Sequence, residues 1–110
     1  MKKLIAVLLS GVSVCCFEMI SFAEGLTKTS AGEKLFVQHC AACHPQGGNI
    51  INPKKTLSKK DREANTIKAE EDVIKILRNG APGMTKFDAA AIADKDAREI
   101  AHYILKTFNK

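Results

Sequence analysis

Two cysteines and a histidine fall within five consecutive positions, Cys40-Ala41-Ala42-Cys43-His44, and the other two cysteines, Cys15 and Cys16, lie in the apolar opening of the chain. Two residues between thiols bring both sulfurs to one side of a single chain turn. Whatever they bind must lie against that turn, and the rest of the chain has to be built round it. Small Ala41 and Ala42 leave room for a large flat group to approach the backbone. A disulfide, a redox dithiol, a zinc site and a covalently held prosthetic group all remain open at this point.

The opening segment decides the compartment. Lys2 and Lys3 precede an apolar run from Leu4 to Phe17, and Ser21-Phe22-Ala23 supplies small residues at the first and third positions before a cut at Glu24. A charged start, a short apolar middle and a small-x-small end predict a secretory signal peptide at 1–23 and a domain at 24–110. The apolar run is too short to span a bilayer comfortably, so no stable membrane insertion is expected after cleavage. Val14 and Cys15 are poor residues to precede a lipidated cysteine. The predicted destination is the periplasm. Cleavage removes Cys15 and Cys16 and leaves Cys40 and Cys43 alone.

What remains is lean. Residues 1–23 hold 16 apolar residues and the following 87 positions hold 34, about 39%. Domains of this size and composition commonly need a disulfide, a metal or a cofactor to complete their core. The pattern along the body is helical. Ser30 and Glu33 read as a capping box for a helix to about His39, with Ala31, Leu35 and Phe36 on its apolar stripe. Residues 45–66 read as loop with a short helix near Lys59–Glu63. A second main helix fits 70–79, opened by Glu70, Glu71 and Asp72, with Val73, Ile74, Ile76 and Leu77 inward and Arg78 and Gly80 at its close. Ala81-Pro82-Gly83 interrupts the pattern. Ala97, Ile100, Ala101, Ile104, Leu105 and Phe108 then repeat at helical spacing, with Asp94 or Asp96 near the start. No alternating strand pattern occurs, so the fold class is all-α with three main helices.

C-x-x-C-H is the attachment signal for c-type haem. Two residues between the thiols let both sulfurs reach the vinyl groups on one porphyrin edge, and the adjacent His44 lies where its imidazole coordinates the iron. A thioredoxin-like pair needs a βαβ setting, and a zinc site needs two further ligands among His39, His44 and His102 with no metal-site spacing. One covalent haem c therefore fits best. Met84 is the only methionine left after cleavage, 40 residues beyond His44 in a Gly/Pro loop, and is the expected sixth ligand rather than a flexible core filler. His/Met ligation raises the reduction potential and fills both axial positions, which points to electron transfer rather than catalysis. His39 reads as a surface histidine and His102 as a partly exposed structural one. The rival is a haem-based ligand sensor or a peroxidase-type enzyme with a labile distal ligand.

These residues resemble the class I monohaem cytochromes c, most of all the short soluble carriers of bacterial periplasms and of cyanobacterial and algal photosynthesis. The resemblance runs over 29–108 and includes Gly32, Phe36, Cys40 to His44, Gly47-Gly48-Asn49, Lys55-Thr56-Leu57, Gly83-Met84 and Tyr103. It implies the cytochrome c fold, loops and helices wrapped round one haem, with the first and last helices crossing at Gly32, Phe36 and Tyr103. It also implies a loop carbonyl accepting a hydrogen bond from the proximal histidine, for which Pro53 is the match. Many members have proline directly after the ligand methionine, where this chain has Thr85.

Charge adds a partner. The whole chain carries a formal +5. Cleavage lowers this to +4, and two haem propionates bring it to about +2, so the position of the lysines matters more than the total. Lys54, Lys55, Lys59, Lys60 and Arg62 fall within nine residues and predict a docking patch for an acidic face on a larger redox protein. Nucleic acid is not expected as a partner, and a monomer is. Phe36, Leu57, Ile74, Leu77, Ile100 and Ile104 are the residues expected to pack on the haem, without which the fold should not hold.

Overall fold

The first structured residues are those that can cap a helix. The computed structural model describes residues 29–110, so the expected signal peptide lies outside the described residues. Ser30 Oγ accepts from the Glu33 amide at 3.1 Å and starts α1 (Ala31–His39), forming the serine half of the expected capping box. Ser58 does the same for the short α2 (Lys59–Ala64), accepting from the Asp61 amide at 3.3 Å. At α3 (Glu70–Asn79) the Asp72 carboxylate accepts from the amides of Lys68 and Ala69, each at 2.9 Å. Gly80 ends α3 with φ of 74°, a backbone conformation that favours glycine. The longest helix, α4 (Asp94–Thr107), buries Ala97, Ile100, Ala101 and Ile104 along one face, as its spacing predicts. Among the described residues there is no strand, only an isolated bridge between Ala81 and Met84.

Helices α1 and α4 cross at Gly32. A Cβ built there would run into the Glu99 carbonyl oxygen and lie 2.8 Å from Tyr103 Cβ, so only glycine lets the two backbones come this close. One turn on, Phe36 meets Tyr103 and Phe108 with ring centroids 5.3 and 5.5 Å away, and those two rings meet each other edge-on. Helix α3 also packs on α4. Val73, Leu77, Ile92 and the apolar face of α4 then complete a small core with Phe36.

Two outcomes test this framework. Gly32→Ala should destabilise the haem-loaded protein by about 1–3 kcal/mol through overpacking at the crossing, read from denaturant unfolding. The two amides at Asp72 hold its carboxyl below the usual carboxylate range. The stabilisation this brings is present above the unfolded-state value of about 3.9 and is lost as pH falls through the folded-state value. Asp72→Asn, which mimics the protonated carboxyl, should therefore be less stable than the parent at neutral pH. The difference should close in acid.

Candidate cofactor site

The attachment turn is a continuation of α1. Cys40 and Ala41 donate their amides to the Phe36 carbonyl at 2.8 and 3.0 Å, and Cys43 and His44 donate theirs to the Cys40 carbonyl at 3.2 and 2.8 Å. The chain thus keeps turning past His39, and the offsets of three and four residues bring Cys40, Cys43 and His44 to one side. Beyond it, Gln46 and Gly47 take φ of 52° and 81° within the 3-10 turn Pro45–Gly47, and the chain doubles back. Gly47 lies hard against the Phe108 ring, so the end of α4 braces this reversal. The reversal delivers the Gly48 carbonyl to His44 Nδ1 at 2.7 Å.

A cleft of about 340 Å³ opens beside this turn. Cys40, Cys43 and His44 line it from one side, and Met84 lines it from the loop between α3 and α4. The apolar wall comes from Leu57, Ile67, Val73, Ile76, Leu77, Phe87 and Ile104, and a polar margin from Asn49, Lys55, Thr56, Asp61 and Asn65. Two thiols, the imidazole that follows them and one thioether on a shared apolar cavity suit a haem attached at Cys40 and Cys43, so the residues present fit the group. They do not suit zinc, because among the described residues no three of the histidines, cysteines and acids converge on one point.

Several expected placements change. Pro53 is exposed and off the cavity lining, and the carbonyl on His44 belongs to Gly48, because the 3-10 reversal returns the chain to the ring five residues before Pro53. Phe36, Ile74 and Ile100 do not line the cavity. Phe36 and Ile100 are consumed by helix packing in the core, with Ile74 against it, while Leu57, Leu77 and Ile104 do face the cavity. His39 is not a free surface residue: it is half-buried, lines the cavity and meets the Phe87 ring edge-on at 6.1 Å. His102 stays exposed and pairs with Glu70 at 3.0 Å.

Arg62 departs furthest. Sequence proximity groups it with the surface lysines, yet it is only 4% exposed. Its Nε donates to the Leu57 carbonyl at 2.8 Å and its Nη2 to the Phe108 carbonyl at 3.3 Å, at the C-terminal end of α4. That end carries negative partial charge and suits a cation. Burial pulls the guanidinium below its ordinary pKa, but arginine remains charged. Burial, and then the neighbouring Cys43, push the Cys40 thiol up to about 11.

Helix periodicity could not have found Ile67, Phe87 or Gly48, because the first two reach the cavity, and the third reaches His44, from irregular segments. Asn49 left a clearer signal. It follows two glycines, and its side chain ties the loop together, accepting from the amides of Ile51 and Asn52 and donating to the Lys55 carbonyl, all at 2.9 Å.

Known proteins resemble this chain in sequence and in fold. The sequence profile of the family described as "Cytochrome C oxidase, cbb3-type, subunit III" matches residues 27–104. Cytochrome c6 of Porphyra purpurea is 37% identical over 112 residues, spanning 100% of this chain and 98% of that protein. Among solved structures, the outer membrane cytochrome OmcF from Geobacter sulfurreducens aligns with a TM-score of 0.68 at 48% identity, covering 70% of this chain and 98% of that one. Cytochrome c6 from the diatom Phaeodactylum tricornutum aligns with a TM-score of 0.63 at 33% identity, covering 69% and 88%.

Proposed function

The chain belongs to the class I monohaem cytochromes c, electron carriers with one covalent haem c rather than enzymes, and on that premise we propose which residues hold the haem and which surface meets its partners. Cys40 and Cys43 form the two thioether bonds, His44 is the proximal ligand and Met84 the distal one. The observation that carries this reading is that all four side chains line a single apolar cavity. Haem c supplies a one-electron iron couple there. His44 Nδ1 donates to the Gly48 carbonyl, which leaves the lone pair of Nε2 free for the metal and fixes the ring. The apolar wall keeps water out. Met84 would supply a second, soft donor to the iron, one that favours the ferrous state.

The partner surface lies at the polar margin. Lys54, Lys55, Lys59 and Lys60 are all exposed, and Lys55 also lines the cavity, so a basic edge adjoins the site. Such an edge steers an acidic face of a larger redox protein toward the haem without a long-lived contact. The basic edge is these four lysines without the buried Arg62. The periplasm is the compartment this reading assigns, on the strength of the leader at 1–23. No helix among the described residues is long and apolar enough to cross a membrane.

Two measurements test the proposal. The ferric protein should show a weak far-red sulfur-to-iron charge-transfer band that disappears in Met84→Ala. If that band is missing from the parent and the ferrous form binds carbon monoxide rapidly, the protein is a ligand sensor or peroxidase instead. Charge reversal at Lys54, Lys55, Lys59 and Lys60 should slow electron exchange with an acidic partner at low salt and flatten its dependence on ionic strength. An unchanged rate and salt slope would remove the docking surface.

A further inference from the structure

Arg78 stands in the last turn of α3, outside the cavity lining, and grips the segment that joins α3 to α4. Its Nη1 donates to two carbonyls, those of Phe87 at 3.0 Å and Ile92 at 2.9 Å, and its Nη2 pairs with the Asp94 carboxylate at 2.6 Å. The side chain is 22% exposed, so the bonds to the two carbonyls are partly shielded from water, while the Asp94 carboxylate is exposed. Apart from a turn in which Asp88 accepts from the amides of Ala90, Ala91 and Ile92, few other bonds hold the segment. Among the described residues, the Phe87 amide donates to the Leu77 carbonyl at 2.8 Å, while the Met84 amide bonds only within the loop, to Ala81 at 2.8 Å. With the amide on α3 itself and the carbonyl on Arg78, Phe87 becomes a fixed point three residues beyond Met84. The free span carrying Met84 is thereby shortened from the whole connection to the stretch between Gly80 and Phe87. Thr85 does not lock its own φ as a proline would, so the stiffness has to come from such anchors.

We propose that Arg78 is the positioning residue for the distal ligand, holding the loop so that Met84 stays on the cavity wall and setting how often it leaves. The inference rests on the assignment of Met84 as the sixth ligand. The guanidinium suits the task because it is planar, presents several donors at once and stays charged at any physiological pH. Its three acceptors lie on both limbs of the segment and on the first residue of α4, so a single side chain ties the loop to both helices it connects.

The test uses the haem-loaded protein, with imidazole as a probe of the open sixth position. Arg78→Met keeps the apolar stem and deletes every donor. Apparent imidazole affinity scales with the fraction of molecules whose Met84 is off the iron, so this variant should bind ferric-state imidazole about tenfold more tightly than the parent. Arg78→Lys, which keeps the charge and part of the bonding, should show a smaller rise of about threefold. It also serves as the readout if the methionine variant fails to accumulate. Global unfolding is followed in parallel. A lowered unfolding midpoint with imidazole affinity within about twofold of the parent would make Arg78 a brace between α3 and α4 only, and would overturn the inference. Unchanged affinity in Arg78→Lys, where that is the only variant obtained, would do the same. Absence of the far-red band from the parent would overturn the Met84 assignment and this inference with it. A parent with the band and variants with unchanged affinity would overturn the role of Arg78 alone.

Discussion

The close crossing of α1 and α4 at Gly32 fixes where the cofactor turn can lie. The turn is a direct extension of α1, so any shift of that helix moves Cys40, Cys43 and His44 together. Because no side chain separates the backbones at Gly32, the crossing has little freedom to slide, and the rings of Phe36, Tyr103 and Phe108 fill the space beside it. The C-terminal end of α4 then reaches the other side of the turn. Phe108 packs against Gly47, its carbonyl receives Arg62, and the Lys59 amide donates to the Lys110 carbonyl at 3.0 Å. One helix contact thereby holds the motif from its upstream end, and one helix terminus holds it from downstream.

This arrangement leaves the core one-sided. Nine apolar residues are buried among the described residues, mostly where α1, α3 and α4 meet, and several of them present a second face to the cavity. Val73, Leu77 and Ile104 belong to both sets. Without a group between the apolar wall and Met84, that wall would face water, and the hydrophobic term that orders the loop at 80–93 would be lost. A group that binds only the folded chain stabilises it by mass action, and a covalent link makes that stabilisation independent of concentration. The sparse composition beyond residue 23 is thus matched by a large apolar ligand.

The sequence carried the helices almost intact, since caps and periodicity are local properties. Ser30, Asp72 and Gly80 mark their ends, and the spacing from Ala97 to Ile104 marks the buried face of α4. The four candidate donors could be picked out by chemical type and spacing, and the structure places Cys40, Cys43, His44 and Met84 on one cavity. What stayed hidden depends on how the irregular segments return. Whether Pro53 or Gly48 meets His44 turns on two left-handed residues, Gln46 and Gly47, of which only the glycine signals itself. Arg62 sits among lysines in sequence, but the turn of α2 rotates it inward while Lys59 and Lys60 stay outside. Charge in a run says nothing about which member a short helix will bury.

That division of the basic residues has an electrostatic consequence. Lysines at the margin are exposed and hydrated, so their field falls off over roughly 10 Å in physiological salt and acts mainly on the approach of a partner. Arg62 is inside, within a low-dielectric wall that salt screens poorly, and its acceptors are backbone carbonyls rather than a carboxylate. Its positive charge is met by those dipoles and by the neighbouring Glu63 carboxylate. A fixed cation on the wall disfavours adding positive charge to the cavity, so it favours the reduced state of the redox group there. The soft thioether donor proposed at Met84 pushes the same way. On the proposed reading outer charge would bear on encounter and inner charge on the electron's preferred location, and the two are separable because one set of side chains is wet and the other is dry.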